Sequence, residues 1–317
     1  MLNCAGNNCV GAGLVVIFSE HYNRMVIVMQ RLLMQTVLLI LWLIPLAVMA
    51  RGIEPARPTE IKWHGHAAFE IRTPEGNVLL IDPWLNNPRN PNAKDWTDPV
   101  KGLTRVDYIL LTHGHFDHIG DAVKIASRTG ARLVATPELG TNMVKINGYP
   151  RKQMGFDTLM NIGGKIELAG GEITISMTAA VHSSGMPNPK AGPNAPDVVY
   201  GGNPVGFIIK IRRGPVIYHS GDTAYFSDMR LIGGQYRPDL ALINIGGHFG
   251  MEPVEAARAA HAVRARWVVP HHFGTFPTLT GNPGKFRNLL RRKGIRSIIM
   301  VPGETIRFQG KRPIPRK

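Results

Sequence analysis

Short apolar runs recur along the chain from Phe69 onward, and this pattern predicts strands. The runs are Phe69–Arg72, Val78–Ile81, Tyr108–Leu111, Arg132–Ala135, Ile173–Met177, Gly206–Ile211, Val216–Tyr218, Leu240–Ile245, Trp267–Val269, Ser297–Val301 and Thr305–Phe308. So many strands imply two sheets. Apolar residues at helical spacing predict helices over Ile119–Ser127, Leu139–Ile146, Pro253–Ala265 and Lys285–Arg292, with Pro253 in a first turn and Gly294 as a stop. The order of these patterns reads as α/β. The part of the chain that carries them, roughly 260 residues, suffices for one well-buried domain.

A different pattern precedes them. The stretch Leu32–Leu46 is almost unbroken in its apolarity, with Arg31 before it and Ala47-Val48-Met49-Ala50 after it, the arrangement of a secretory signal cleaved after Ala50. A membrane anchor over residues 32–49 is the competing expectation, since the stretch approaches the length that spans a bilayer. Residues 1–28 add a mildly apolar segment and the charged break Glu20-His21-Tyr22-Asn23-Arg24, which suits a true start at Met25 or Met29. Both cysteines, Cys4 and Cys9, fall there, so the rest of the chain needs no disulfide framework and offers no thiolate to a metal. The expected organisation is an extension with signal or anchor over 1–50 (the signal over about 29–50), a linker over 51–58, one domain over 59–309 and a basic tail over 310–317, in a periplasmic or secreted protein.

The chain carries 37 lysines and arginines against 22 aspartates and glutamates, a formal charge of +15. Residues 1–50 hold only Arg24, Arg31 and Glu20, so about +14 stays with the remainder. This surplus favours acidic substrates or anionic surfaces, a membrane surface among them, and solubility alone would also account for it. The basic runs Arg291-Arg292-Lys293 and Lys311–Lys317 have no interleaved aromatic platform, so no nucleic-acid function is expected. Nothing in the pattern bears on oligomeric state.

The densest chemistry lies just past the run ending at Leu111, in Thr112-His113-Gly114-His115-Phe116-Asp117-His118-Ile119-Gly120-Asp121. Imidazoles and carboxylates at this density repel one another and lose hydration unless cations draw them together, so the segment reads as a metal site. Gly114 lets the chain bend, so His113 and His115 reach one ion while Asp117 and His118, where a helix should begin, turn to a second ion about 3.5–4 Å away. A solvated histidine-rich turn would carry the same residues and bind metal only adventitiously. His219, at the end of the apolar run Val216-Ile217-Tyr218, suits a supporting position beside such a site or a place in the core.

Together with His182, Asp222 and His272, which follow in that order, the cluster resembles the signature of the metallo-β-lactamase superfamily: His-x-His-x-Asp-His, then a lone His, a lone Asp and a final His. The resemblance implies that His113, His115 and His182 hold one metal, that Asp117, His118 and His272 hold the other, and that Asp222 bridges them. Pro270-His271-His272-Phe273-Gly274-Thr275 is similar to a closing motif that puts the ligand at His272 rather than His271. Ile61–Phe69, Leu80–Trp84, Gly202–Phe207 and Gly221–Phe226 are similar to segments of the ascorbate-6-phosphate lactonase-like hydrolases and of the N-acylphosphatidylethanolamine-hydrolysing phospholipase D. The chain departs from them at Gly246-Gly247-His248-Phe249-Gly250-Met251, where relatives carry Gly-Asp-Asn-Phe-Thr-Met, so their substrates are not inherited.

What the resemblance implies is a four-layer αββα sandwich and a dinuclear hydrolase that uses a metal-bridging hydroxide on an ester, lactone or phosphodiester. Its ions are expected to be Zn²⁺, with Mn²⁺ or Fe²⁺ compatible. Asp117 would orient the nucleophile, Asp222 would hold the ions, and His248 and then His66 are the candidates for protonating the leaving group, although each also suits packing. The expected substrate is small or lipid-like and anionic. The loop Ser183–Pro204 would cover the site, with Met186 and Tyr200 as wall residues. Two other readings stay open. A di-iron redox protein on the same fold would replace His115 by Glu and add a flavodoxin domain, and a non-catalytic periplasmic anion-binding protein would have degraded ligands.

Overall fold

Val78 and Leu80 of strand β3 (Val78–Ile81) belong to one apolar core and Leu79 and Ile81 to another, so the strand is buried on both faces and its sheet lies between two layers. Strand β4 (Tyr108–Leu110) divides the same way, with Ile109 in the first core and Leu110 in the second. The computed structural model describes residue 22 and residues 24–38, 57–96 and 98–315. It divides after Pro55.

In the first unit residues 24–38 are helical (α1). No helix among the described residues is long and apolar enough to cross a membrane. The second half of the expected signal or anchor, and the linker up to residue 56, lie outside the described residues.

The second unit holds two seven-stranded sheets. The first combines β1 (Thr59–Trp63), β2 (Phe69–Arg72), β3, β4, β5 (Arg132–Val134), β15 (Thr305–Gln309) and β16 (Arg312–Pro313) in the order β16-β15-β1-β2-β3-β4-β5. The second combines β6 (Lys165–Leu168), β7 (Ile173–Ala179), β10 (Val205–Ile211), β11 (Val216–His219), β12 (Leu240–Asn244), β13 (Trp267–His271) and β14 (Arg296–Ser297) in the order β14-β13-β12-β11-β10-β7-β6. Strands β8 (Gly185–Pro187) and β9 (Val198–Tyr200) form a separate hairpin. Helices α2 (Phe116–Ile119), α3 (Ala122–Thr129) and α4 (Pro137–Lys145) follow the first sheet's parallel strands, and α5 (Met229–Tyr236), α6 (Pro253–Ala262) and α7 (Pro283–Arg291) follow those of the second.

Residues of α3 and α4, Ala122, Ile125, Leu139 and Met143, share the core with Val78, Leu80 and Ile109 on the outer face of the first sheet. The larger core unites Leu79, Ile81 and Leu110 with Phe207, Ile209 and Ile217 of the second sheet, and continues to Ala256, Ala260 and Phe286 of α6 and α7. The result is the expected αββα sandwich.

Strands β3-β4-β5 are parallel, as are β11-β12-β13-β14. Parallel strands bring their C-terminal ends to one edge of the sheet, where loops gather residues distant in sequence.

Several elements differ from the sequence pattern. The helix expected over Ile119–Ser127 is two helices, α2 and α3, parted at Gly120–Asp121. Of Ser297–Val301 only Ser297 lies in a strand, as the end of the short β14, and the Ile298 N–H bonds to the Val268 carbonyl beyond it. Arg312 and Pro313 of the expected tail join the first sheet against β15. The α5 helix forms despite Gly233 and Gly234, because a side chain at Gly233 would collide with the Ala262 carbonyl at the end of α6. Close helix packing there outweighs glycine's low propensity.

Candidate metal centre

Strand β4 ends at Leu110, and the chain leaves the sheet through His113 and His115 before α2 begins. Asp82, at the end of the fully buried β3, orders this loop. Its carboxylate accepts from the Thr112 backbone N–H (2.8 Å) and from Thr112 Oγ1 (2.7 Å). Since the Thr112 hydroxyl proton goes to Asp82, its oxygen accepts from His113 Nδ1 at 3.0 Å, which leaves His113 Nε2 unprotonated. Asp82 also accepts from His118 Nδ1 at 2.8 Å and so turns His118 Nε2 inward. A carboxylate behind a histidine is the usual support of a metal-ligating imidazole. The sequence reading passed over Asp82. The signal was a carboxylate ending the wholly apolar run Val78–Ile81, a position costly to ionise unless it has partners.

The remaining side chains arrive from the second sheet. His182 follows β7, Asp222 follows β11 through Gly221, and His272 follows β13. Three groups of donor atoms result, each within 4.8 Å of one another: His113, His115 and His182; His66, Asp117, His118 and His272; and His113, His118 and Asp222, which joins the first two. His113 Nε2 faces His115 Nδ1 at 2.9 Å. Asp222 Oδ2 lies 2.9 Å from His272 Nε2, 3.4 Å from His118 Nε2 and 3.8 Å from His182 Nε2. His66 is fully buried, with Nε2 2.8 Å from Asp117 Oδ2 and Nδ1 2.9 Å from Thr275 Oγ1.

The electrostatics call for a cation. Burial opposes charge on Asp222, yet His272 and His118 hold its carboxyl well below the usual range, and burial on Asp117 is likewise overcome by His118 and His272. Burial also opposes charge on His272, but Asp222 and Asp117 raise its pKa to about 9, and the same carboxylates with Asp82 raise His118 well above the ordinary value. Burial and the neighbouring His118 keep His113 neutral, while burial and the neighbouring His272 lower His66 to about 4. Protons on His118 and His272 therefore balance the carboxylates when no metal does so. Buried His118 Nε2, His272 Nε2 and Asp222 Oδ1 have no hydrogen-bond partner, and the 2.9 Å approach of His272 to Asp222 is an ion-pair distance without hydrogen-bond alignment. Buried polar atoms left so cost about 1–3 kcal/mol each. A divalent ion would satisfy all of them, so the donor set fits a metal.

Two neighbouring histidines stand apart from these groups. His219 Nδ1 accepts from the Gly221 N–H at 3.1 Å, which leaves Nε2 to donate to the Ala67 carbonyl at 3.4 Å and braces the loop that carries Asp222. His271 is buried against the His219 ring, 4.8 Å away, and against Phe69.

The centre opens into a cleft of about 460 Å³, lined by His115, Asp117, His182, Ser183, Asp222 and His272 together with Phe116, Phe249, Phe276 and Leu279. Neither His248 nor His66 is among the lining residues. His248 is exposed, with its ring edge-on to Phe249 at 4.3 Å, and belongs to none of the metal-capable groups. Met186 and Tyr200 do not line the cleft either. Met186 is fully buried against Gly114, and Tyr200 is exposed, with its hydroxyl on Asn203, because the loop folds as the β8–β9 hairpin and turns both away.

Comparison with known proteins identifies the family. A family model described as a beta-lactamase superfamily domain matches residues 77–273, and a UPF0173 metal-dependent hydrolase of Thermodesulfovibrio yellowstonii is 47% identical over 253 residues, 79% of this chain and 92% of that one. The chain belongs to the metallo-β-lactamase superfamily. It is a metal-dependent hydrolase of that superfamily, as are its relatives by name. A second such relative, from Anaeromyxobacter sp. (strain K), is 47% identical over 252 residues, 79% of this chain and 87% of its own. The metallo hydrolase of the archaeon Ignicoccus hospitalis superposes with a TM-score of 0.67 at 33% identity, over 79% of this chain and 98% of that one. A diiron β-hydroxylase from Streptomyces venezuelae shares the fold alone, at 14% identity and a TM-score of 0.58, over 80% of this chain and 54% of its own.

Proposed function

We propose that this superfamily hydrolase is dinuclear and cleaves an ester, lactone or phosphodiester bond, in the periplasm or outside the cell. The observation that carries this reading is the junction of two donor groups through His113, His118 and Asp222. A single ion would leave one group unused. In this reading His113, His115 and His182 would hold one ion, Asp117, His118 and His272 would hold the other, and Asp222 would be available to both. The all-nitrogen-and-oxygen donor set suits Zn²⁺ and also accepts Mn²⁺ or Fe²⁺. When bound, such ions lower the pKa of water towards ~7 and polarise the oxygen of the scissile group.

The protein's own residues do the rest. Asp117 lines the cleft and is held ionised, so it would orient the attacking water by accepting a hydrogen bond from it. His66, neutral at pH 7 and facing Thr275 on one side and Asp117 on the other, fixes the rotamer of Asp117 rather than meeting substrate. Asp82 and Thr112 keep His113 and His118 in the tautomers that present Nε2.

The test is metal analysis of the full chain, with turnover of bis(p-nitrophenyl) phosphate and a lactone panel before and after chelation. Two equivalents of metal and chelator-sensitive turnover restored by divalent ions are expected. Turnover indifferent to chelation would overturn the reading.

A further inference from the structure

We propose that the substrate is an uncharged carboxylic ester or lactone with an extended apolar arm, which lies on an aromatic wall beside the metal centre; this rests on the hydrolase reading above. The wall is built, not incidental. Phe276 stacks on Trp84 (5.8 Å, 17° between planes), Phe116 meets Trp84 edge-on at 5.7 Å, and His66 meets Trp84 edge-on at 5.2 Å. Gly120 makes room for Trp84, since a Cβ there would lie 2.7 Å from Trp84 Cδ1. On this support Phe116 stays 53% exposed, and Phe249 in the same cleft stays 56% exposed. Two phenylalanines held half in water beside a catalytic centre expose apolar surface that a ligand would cover.

The apolar surface continues beyond the centre. Phe116 also borders a second cavity of about 330 Å³, whose other walls are mostly apolar side chains, Ile119, Val123, Met143, Pro187 and Pro189, with the uncharged amide of Asn147 among them. No charged side chain lines that cavity, and no lysine or arginine lines the cleft. The chain's positive surplus is placed elsewhere: Arg230, Arg258, Arg264 and Lys293 surround a separate cavity of about 320 Å³ that none of the centre's residues lines. The net charge that pointed to an anionic substrate is thus absent from the walls that would meet it. A charged arm would lose hydration along this path without a partner, whereas an alkyl or aryl arm gains by leaving water. Hydrolysis adds the oxygen of water to the carbonyl carbon and breaks the acyl–oxygen bond, giving a carboxylate, an alcohol and a proton, with no oxidant or reductant required.

The experiment compares p-nitrophenyl acetate, octanoate and the ω-carboxylated octanoate (the suberate monoester) on the metal-loaded full chain, with bis(p-nitrophenyl) phosphate alongside. It also measures binding of unreactive N-octylacetamide to the chelated protein by tryptophan fluorescence. The expected result is kcat/KM at least about tenfold higher for octanoate than for acetate and at least about tenfold lower for suberate than for octanoate. Phe249→Ala and Val123→Ser should each flatten the octanoate-to-acetate ratio and weaken N-octylacetamide binding. Equal rates on acetate and octanoate, or a preference for suberate, would overturn the proposal. Cleavage of the phosphodiester with none of the esters would overturn it too and leave the hydrolase reading standing. Binding of N-octylacetamide that weakens in both variants, with no turnover of any substrate after metal loading, would uphold the apolar arm and refute the ester, lactone or phosphodiester reading of the centre.

Discussion

Asp117 Oδ2 lies 2.8 Å from His66 Nε2, although 51 residues separate the two in the chain. His66 is neutral at pH 7 and Asp117 is ionised, so His66 donates from Nε2 and accepts at Nδ1 from the Thr275 hydroxyl. Removing the ring frees the carboxylate to rotate while leaving the other donor side chains in place. His66→Ala is expected to lower kcat about ten- to a hundredfold with a smaller change in KM, the usual scale for a residue that orients a metal-site side chain. Thr275→Val, which removes only the tautomer lock, should cost less. Steady-state kinetics of both variants would decide, and a wild-type kcat in His66→Ala would refute the positioning role.

Asp222 is the carboxylate shared among His118, His182 and His272, and His113 belongs to two of the three donor groups. Each joins the groups to one another, so Asp222→Ala and His113→Ala should lower metal content and reduce turnover by more than about a hundredfold, beyond the effect expected for supporting residues. Metal analysis alongside kinetics separates ligand loss from unfolding. A variant with full metal content and wild-type activity would exclude its residue from the centre.

Metal removal should make stability depend on pH in two opposed ways. His272 is raised from 6.5 to about 9, so its stabilising protonation is complete below pH 6.5 and is lost as pH rises through about 9. His66 is lowered from 6.5 to about 4, so between those values the unfolded chain binds more protons and stability rises with pH. The chelated protein should therefore melt highest near pH 6.5 and at lower temperature towards both 4 and 9. Metal replaces the proton on His272, so the loaded protein should keep its melting temperature across the alkaline window. Metal affinity should rise over the same window. Thermal melts at fixed ionic strength, with and without chelator, would show it; an alkaline decline equal in both forms would contradict the account.

How far the sequence reveals the centre depends on the kind of residue. The loop candidates were legible because His113 to His118 compress unusual chemistry into one segment, whereas His182, Asp222 and His272 stood out only through the resemblance to the superfamily signature. Asp82 was not, since one aspartate after an apolar run looks like a strand end until the Thr112 and His118 contacts appear. The aromatic wall escaped for a similar reason: Trp84 and Phe276 come from two distant loops and Phe116 from the start of α2, and no periodicity links them. Strand β1 did carry its signal in the alternation of Ile61 and Trp63 with Glu60 and Lys62; what the pattern did not show is that it lies between β2, next in sequence, and β15, contributed from the far end of the chain. Short edges such as β6, with only Leu168 buried, had too little apolar pattern to register.

Gly221 offers the sharpest separation of backbone strain from site geometry. It sits at φ +58°, and a Cβ there would lie 2.6 Å from the Val205 carbonyl oxygen and 3.0 Å from Thr112 Cβ. Thr112 holds both Asp82 and His113, and Asp222 is the next residue along, so a methyl group at 221 presses on both sides of the centre at once. Gly76 also has a positive φ, +91°, but nothing stands within 4 Å of its would-be Cβ. Gly76→Ala should therefore cost only the conformational penalty of a non-glycine residue there, about 1 kcal/mol, and leave metal content unchanged. Gly221→Ala should cost about 1–3 kcal/mol and also release metal, because its strain is relieved by moving Thr112 or Asp222. Melting temperature and metal content of the two variants, measured side by side, give the comparison. Equal metal retention in both would show that the loop absorbs the methyl without disturbing the ligands, against the packing described here.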